Sequence, residues 1–147
     1  IVDELREKYS LSKAETMNLL LKEELRIPRN ILIKELGALE AITKYMKENL
    51  NMNYHEIAKT LHRDERTIWT AYNKAKQKQK ESFEIKETKI FLPVSIFNKK
   101  FTILESVIIY LRNKGFKNKE IAELINRDSR NTWTVYSRAL RKLKNKS

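Results

Sequence analysis

EIAKTLHRDERTIWTAYNKAKQK, Glu56 to Lys78, returns as EIAELINRDSRNTWTVYSRALRK, Glu120 to Lys142. Aligned without a gap, the two stretches share 11 of 23 positions, among them Arg63/Arg127, Asp64/Asp128, Arg66/Arg130, Trp69/Trp133 and Thr70/Thr134. Self-similarity at a fixed offset of this quality marks a duplicated structural unit rather than chance. Upstream, Pro28, Ile31, Lys34, Leu39, Glu40 and Tyr45 recur as Pro93, Ile96, Lys99, Leu104, Glu105 and Tyr110, at an offset of 65 instead of 64. One residue is therefore lost between the two blocks.

The duplication divides 147 residues into two lobes of roughly 50 to 55 residues, near the lower limit for independent folding. With 2 Gly and 2 Pro, and Leu, Ile, Lys, Glu and Ala at helical spacing, the chain reads as all-α. The expected organisation is an N-terminal helical segment over 1–26, a first three-helix lobe over 27–80, a linker over 81–92 and a second lobe over 93–147. In the N-terminal segment Leu5 and Tyr9 give apolar spacing, and Ser12 with Glu15 forms a capping-box pattern ahead of Met17 to Leu21. Lobe one is expected to hold helices at Ile31–Asn49, Tyr54–Leu61 (capped by Asn53 with Glu56) and Glu65 to about Gln79. Lobe two repeats them near Ile96–Lys114, Asn118–Ile125 and Ser129–Leu143, with Gly115 ending the first. The polar stretch Gln77–Lys89 reads as a helix tail and extended linker, or as a short strand.

A short helix, a tight turn and a longer basic helix form the layout that presents a helix to the DNA major groove. The turn needs a residue tolerant of positive φ, and His62 and Asn126 stand there. Asp64 and Asp128 are positioned to cap the third helix. Ala58 and Ala122 are small enough to let the second and third helices cross closely. Ile68, Ala71, Tyr72 and Ala75, and Thr132, Val135, Tyr136, Ala139, Leu140 and Leu143, share a core face.

The opposite face carries Arg66, Thr70 and Asn73, with Thr67 alongside, and in the second copy Arg130, Thr134 and Ser137, with Asn131 alongside. These are candidate base-reading residues, since Arg pairs with guanine, Asn with adenine, and the Thr methyl meets thymine. Arg63, Lys74, Lys76, Lys78, Arg127, Arg138, Arg141 and Lys142 are candidate phosphate ligands. Trp69 and Trp133 admit two readings, packing against the second helix or lying on a DNA sugar or thymine methyl. The formal charge of +12, from 31 Lys plus Arg against 19 Asp plus Glu, suits a partner built of phosphates.

Glu120 to Lys144, and more loosely Glu56 to Lys78, resemble the promoter-reading helix-turn-helix of region four in bacterial sigma factors. The shared parts are the Glu-Ile-Ala opening, the polar cap, the basic helix and the ending Ala139-Leu140-Arg141-Lys142-Leu143. The resemblance implies a sequence-reading role for Ser129, Arg130 and Thr134, and through the repeat for Glu65, Arg66 and Thr70. The chain departs from that family in having no Gly in the turn, Trp133 at a commonly basic position, and the unit doubled.

The expected partner is double-stranded DNA, with a direct-repeat site if the lobes follow head to tail. A helical adaptor docking on the transcription or replication machinery is the alternative, and RNA duplexes, whose major groove is deep and narrow, a lesser one. No catalytic, metal or cofactor site is expected: His55-Glu56 begins a zinc-protease pattern, but Lys59 occupies the second histidine's place. With no Cys, no apolar run near 18 residues and no signal-peptide pattern, the expectation is a soluble cytoplasmic protein with no membrane partner, its start at Ile1 suggesting residues upstream.

Overall fold

The computed structural model describes residues 25–145. The helical segment expected upstream, with its Ser12–Glu15 cap, lies outside the described residues. Among those residues the protein is mainly helical, and one order of elements occurs twice. A strand β1 (Arg26–Pro28) and a 3₁₀ turn (Arg29–Ile31) precede helices α1 (Ala38–Glu48), α2 (Tyr54–Leu61) and α3 (Glu65–Lys78). A strand β2 (Phe91–Pro93) and a 3₁₀ turn (Val94–Ile96) precede α4 (Ile103–Asn113), α5 (Asn118–Leu124) and α6 (Ser129–Lys144). No helix among the described residues is long and apolar enough to cross a membrane.

The all-α expectation needs one correction. β1 and β2 pair antiparallel, with Arg26 opposite Pro93, Ile27 opposite Leu92 and Pro28 opposite Phe91. Each strand has three residues and ends on proline, too short for an alternating pattern to stand out. Gln77–Lys89, offered as a possible strand, contains none; the strand follows at Phe91.

The first helix of each half also starts later than expected, at Ala38 rather than Ile31 and at Ile103 rather than Ile96. Ile31, Leu32 and Leu36 are buried, but from a turn and loop, so their apolar spacing imitated a helix. The true starts carry caps. The Thr102 side chain accepts the Glu105 N–H (3.1 Å) while Glu105 Oε1 accepts the Thr102 N–H (2.9 Å). At Gly37, with no side chain to offer, only the second half remains: its N–H donates to Glu40 Oε1 at 3.0 Å.

The lost residue sits between the first two helices. Residues 49–53 separate α1 from α2, whereas 114–117 separate α4 from α5. Asn51 (φ 55°) and Gly115 (φ 100°) turn the backbone at these places.

Within each half the third helix packs on the first two, and α1 also meets α4. Ile27, Leu36, Ile42, Ile57 and Ile68 join Leu92, Phe97, Val107, Leu111 and Ile121 in one continuous buried cluster. Ala58 and Ala122 are buried, consistent with close crossing of the second and third helices. On α3 and α6 the buried residues are Ile68, Ala71, Ala75, Thr132, Val135 and Ala139, with Tyr72, Tyr136 and Leu140 half-buried. Leu143 is corrected from the core to the surface, 44% exposed, because it falls beyond Ala139, the last buried position of α6.

Candidate nucleic-acid interface

In both copies the turn has the chemistry that the residues suggest. His62 (φ 57°) and Asn126 (φ 56°) occupy the left-handed region, and the following Arg63 and Arg127 N–H groups donate to the Ala58 and Ala122 carbonyls at 3.0 Å. Asp64 Oδ1 accepts the Thr67 N–H at 2.8 Å and Asp128 Oδ1 the Asn131 N–H at 2.6 Å. The bonds from the Thr67 backbone and side chain hold the Asp64 carboxyl below its usual range. These caps fix the first turn of α3 and α6 and hence the direction of the side chains beyond it.

Those side chains form matching exposed stripes. Glu65, Arg66, Trp69 and Thr70 are exposed on α3, and Ser129, Arg130, Asn131, Trp133 and Thr134 on α6. Asn73 and Ser137, one turn further, are half-buried, as is Thr67. Arg66, Thr70 and Lys74 line a groove beside Gly37–Glu40 at the start of α1. Some polar groups are already engaged: Asn73 Nδ2 donates to the Trp69 carbonyl (2.8 Å) and the Thr134 hydroxyl to the Arg130 carbonyl (3.0 Å). Glu65 Oε1 lies 2.9 Å from His55 Nδ1. Asn73 keeps its amide oxygen and one amide hydrogen, and bidentate adenine pairing uses one of each.

The tryptophans do not pack inward. Trp69 is 55% and Trp133 51% exposed, so neither belongs to the core. Helical geometry explains it: the core of α3 is centred on Ile68, Ala71 and Ala75, and Trp69 projects roughly 100° or more away from each of them. Trp69 borders a hollow with Tyr54, Glu65, Arg66 and Thr70, and Trp133 leans on Tyr136 at 5.9 Å between ring centroids.

Four of the eight candidate phosphate ligands are committed elsewhere. Arg63 donates to the Asn98 carbonyl (2.8 Å) and the Phe101 carbonyl (2.9 Å) in the second half. Arg127 donates to the Ile33 (3.3 Å) and Leu36 (3.0 Å) carbonyls in the first half. Adding the offset of 65 turns Ile33 into Asn98 and Leu36 into Phe101, so each arginine makes its partner's contact. Lys78 pairs with Glu40 at 2.8 Å and Lys142 with Glu105 at 2.6 Å, tying the tail of the third helix to the start of the first. Lys74, Lys76, Arg138 and Arg141 stay on the exposed surface. Lys99 and Lys100, overlooked in the sequence, border a cleft with His62, Asp64, Thr67 and Lys142. Their neighbour α3 belongs to the other half; the signal available was the recurrence of Lys34 at Lys99.

The reciprocal contacts also correct the head-to-tail arrangement. The Arg29 N–H donates to the Ile90 carbonyl (3.1 Å) and the Val94 N–H to the Leu25 carbonyl (3.3 Å), again one bond and its image. Antiparallel pairing centred on Ile27 and Leu92 and exchanged arginines are the signature of a twofold relation. The halves are therefore related by a local twofold axis within one chain.

No family model, curated protein or solved structure matches the chain.

Proposed function

We propose that the protein binds double-stranded DNA sequence-specifically through two helix-turn-helix lobes, α1–α3 and α4–α6, and acts as a transcriptional regulator. The observation that carries this is the repeated exposed triad Arg66-Trp69-Thr70 and Arg130-Trp133-Thr134. Each triad stands on the first turns of a helix aimed by an aspartate cap and a left-handed turn. A folding role does not require an outward indole at the same place twice, whereas a DNA sugar or thymine methyl offers it an apolar partner.

In this reading Arg66 and Arg130 read guanine, Thr70 and Thr134 meet thymine methyls, and Glu65, Ser129 and Asn131 tune the neighbouring positions. Lys74, Lys76, Arg138 and Arg141 then neutralise phosphates and set salt dependence. The test is retention of duplex DNA from a random pool against excess nonspecific competitor. A specific sequence should be retained, and the Arg66→Ala/Arg130→Ala pair should lose it while retaining weaker nonspecific binding. Lys74→Ala and Arg138→Ala should each flatten the salt slope by about 0.9 in log K per log salt with the site unchanged. Unaltered specificity in the arginine pair would reject the reading face. Equal affinity for all duplexes, with capture of an acidic protein instead, would favour the adaptor.

A further inference from the structure

Resting on that proposed reading, we infer that the target is an inverted repeat with unequal arms. The symmetry comes from the protein. Ile27 faces Leu92, its own repeat counterpart, in the antiparallel ribbon. Arg63 grips Asn98 and Phe101 as Arg127 grips Ile33 and Leu36. Both sets of bonds map onto themselves when the halves are exchanged, which a translation cannot do.

Duplex DNA has matching dyads, perpendicular to its axis, because its strands run antiparallel. When the protein's local axis lies along one of them, α3 and α6 meet the two half-sites in the same relative pose, as dimeric helix-turn-helix proteins do on palindromes. A direct repeat would present one of the two helices with its bases in reversed order. The half-sites should be centred about one helical turn, about 10 base pairs, apart or a multiple of that.

The inequality comes from particular residues. Arg66/Arg130, Trp69/Trp133 and Thr70/Thr134 are identical pairs and predict bases common to both arms. Glu65 against Ser129, Thr67 against Asn131 and Asn73 against Ser137 differ. Glu65 is a carboxylate acceptor suited to the cytosine amino group, and Ser129 carries no such charge. The arms should diverge at the bases these three pairs face.

The experiment is selection from random duplexes with the whole chain, repeated with Glu65→Ser/Thr67→Asn/Asn73→Ser. Each replacement is the residue already tolerated at the equivalent place in α6, and a thermal melt checks that the variant folds. The parent chain should enrich an imperfect inverted repeat. The variant should prefer the symmetrised site, with both arms matching the α6 arm, over the parent site by about fivefold or more, the low end of what one good base contact discriminates. Enrichment of a direct repeat, or of a single half-site, would overturn the inference while leaving DNA binding intact. An unchanged preference in the folded variant would overturn the assignment of unequal arms to these three pairs. No enrichment by the parent chain would remove the function on which the inference rests.

Discussion

Glu40–Lys78 and Glu105–Lys142 are one ion pair in two environments. The Glu105 side chain is fully buried, whereas that of Glu40 keeps 15% of its surface. For both carboxyls burial is the largest influence and acts upward, but the lysine bond and the backbone N–H at the helix start together hold the group below its usual range. Lys142→Ala takes the hydrogen-bonded cation from a buried carboxylate and should cost about 2 kcal/mol. Lys78→Ala, at a more open pair, should cost about 1 kcal/mol or less, and urea unfolding of the two variants compares them directly. Equal losses would contradict the burial argument. A carboxyl depressed in the fold contributes stability above its unfolded value, near 4.5, that is lost as pH falls through the lower folded value. Acid titration of stability should fall in that window, and Glu105→Gln should blunt it. Tyr72 works in the opposite direction. Burial first, then its 2.8 Å bond to Glu48, raises it from 10.0 to about 12. Its contribution is complete below pH 10 and lost as pH rises towards 12, a loss that Tyr72→Phe should abolish. Reading such roles from sequence has a clear limit. Lys74 and Lys78 look alike on a basic helix and both act on the Glu40 carboxyl, and only the 2.8 Å ion pair to Lys78 separates structural tie from surface charge.

The elements most legible in the sequence were those governed by local chemistry. The positive φ at His62 and Asn126, the Asp64 and Asp128 caps, the Asn53–Glu56 box at α2 and the glycine turn at Gly115 all involve residues within a few positions of one another. The start of α1 falls later than the spacing suggests because the burial of Ile31 and Leu36, from a turn and loop, fits a 3.6-residue period. At α4 the Thr102–Glu105 box, equally local, marks the true start. Both turns share a left-handed residue but differ in what its side chain does. Both residues are exposed, but Asn126 Nδ2 donates to the Leu32 carbonyl at 2.8 Å. His62→Gly should therefore be neutral or slightly stabilising, relieving the left-handed residue at little other cost. Asn126→Gly should destabilise by about 1 kcal/mol through the lost bond. His62→Val, with a branched Cβ at positive φ, should cost about 1 to 2 kcal/mol. Thermal melts rank the three, and a stabilising Asn126→Gly would show that the bond to Leu32 contributes nothing.

At the scale of the molecule, the duplication was visible in the sequence but its symmetry was not, since offsets of 64 and 65 fit a translation as well as a rotation. What decides between them is where Arg63 and Arg127 reach, and an arginine in a basic run carries no mark of its partner. Charge-assisted bonds of this kind contribute about 1.5 to 3 kcal/mol, and here they join halves that already share one apolar cluster. The two halves should therefore unfold together. Trp69 and Trp133 provide a reporter in each: Trp133→Phe leaves fluorescence that follows the first half, and Trp69→Phe the second. Both variants should give coincident urea transitions by fluorescence and by circular dichroism, the mark of a two-state unit. Arg63→Ala should move the midpoint for both reporters, although the residue lies in only one half, and Arg127→Ala should do the same. Arg63→Lys keeps the charge but lacks the planar fork that spans the Asn98 and Phe101 carbonyls, so it should recover only part of the loss. Separate transitions for the two tryptophans, or an Arg63→Ala effect confined to Trp69, would mean that the shared core and exchanged arginines do not couple the halves.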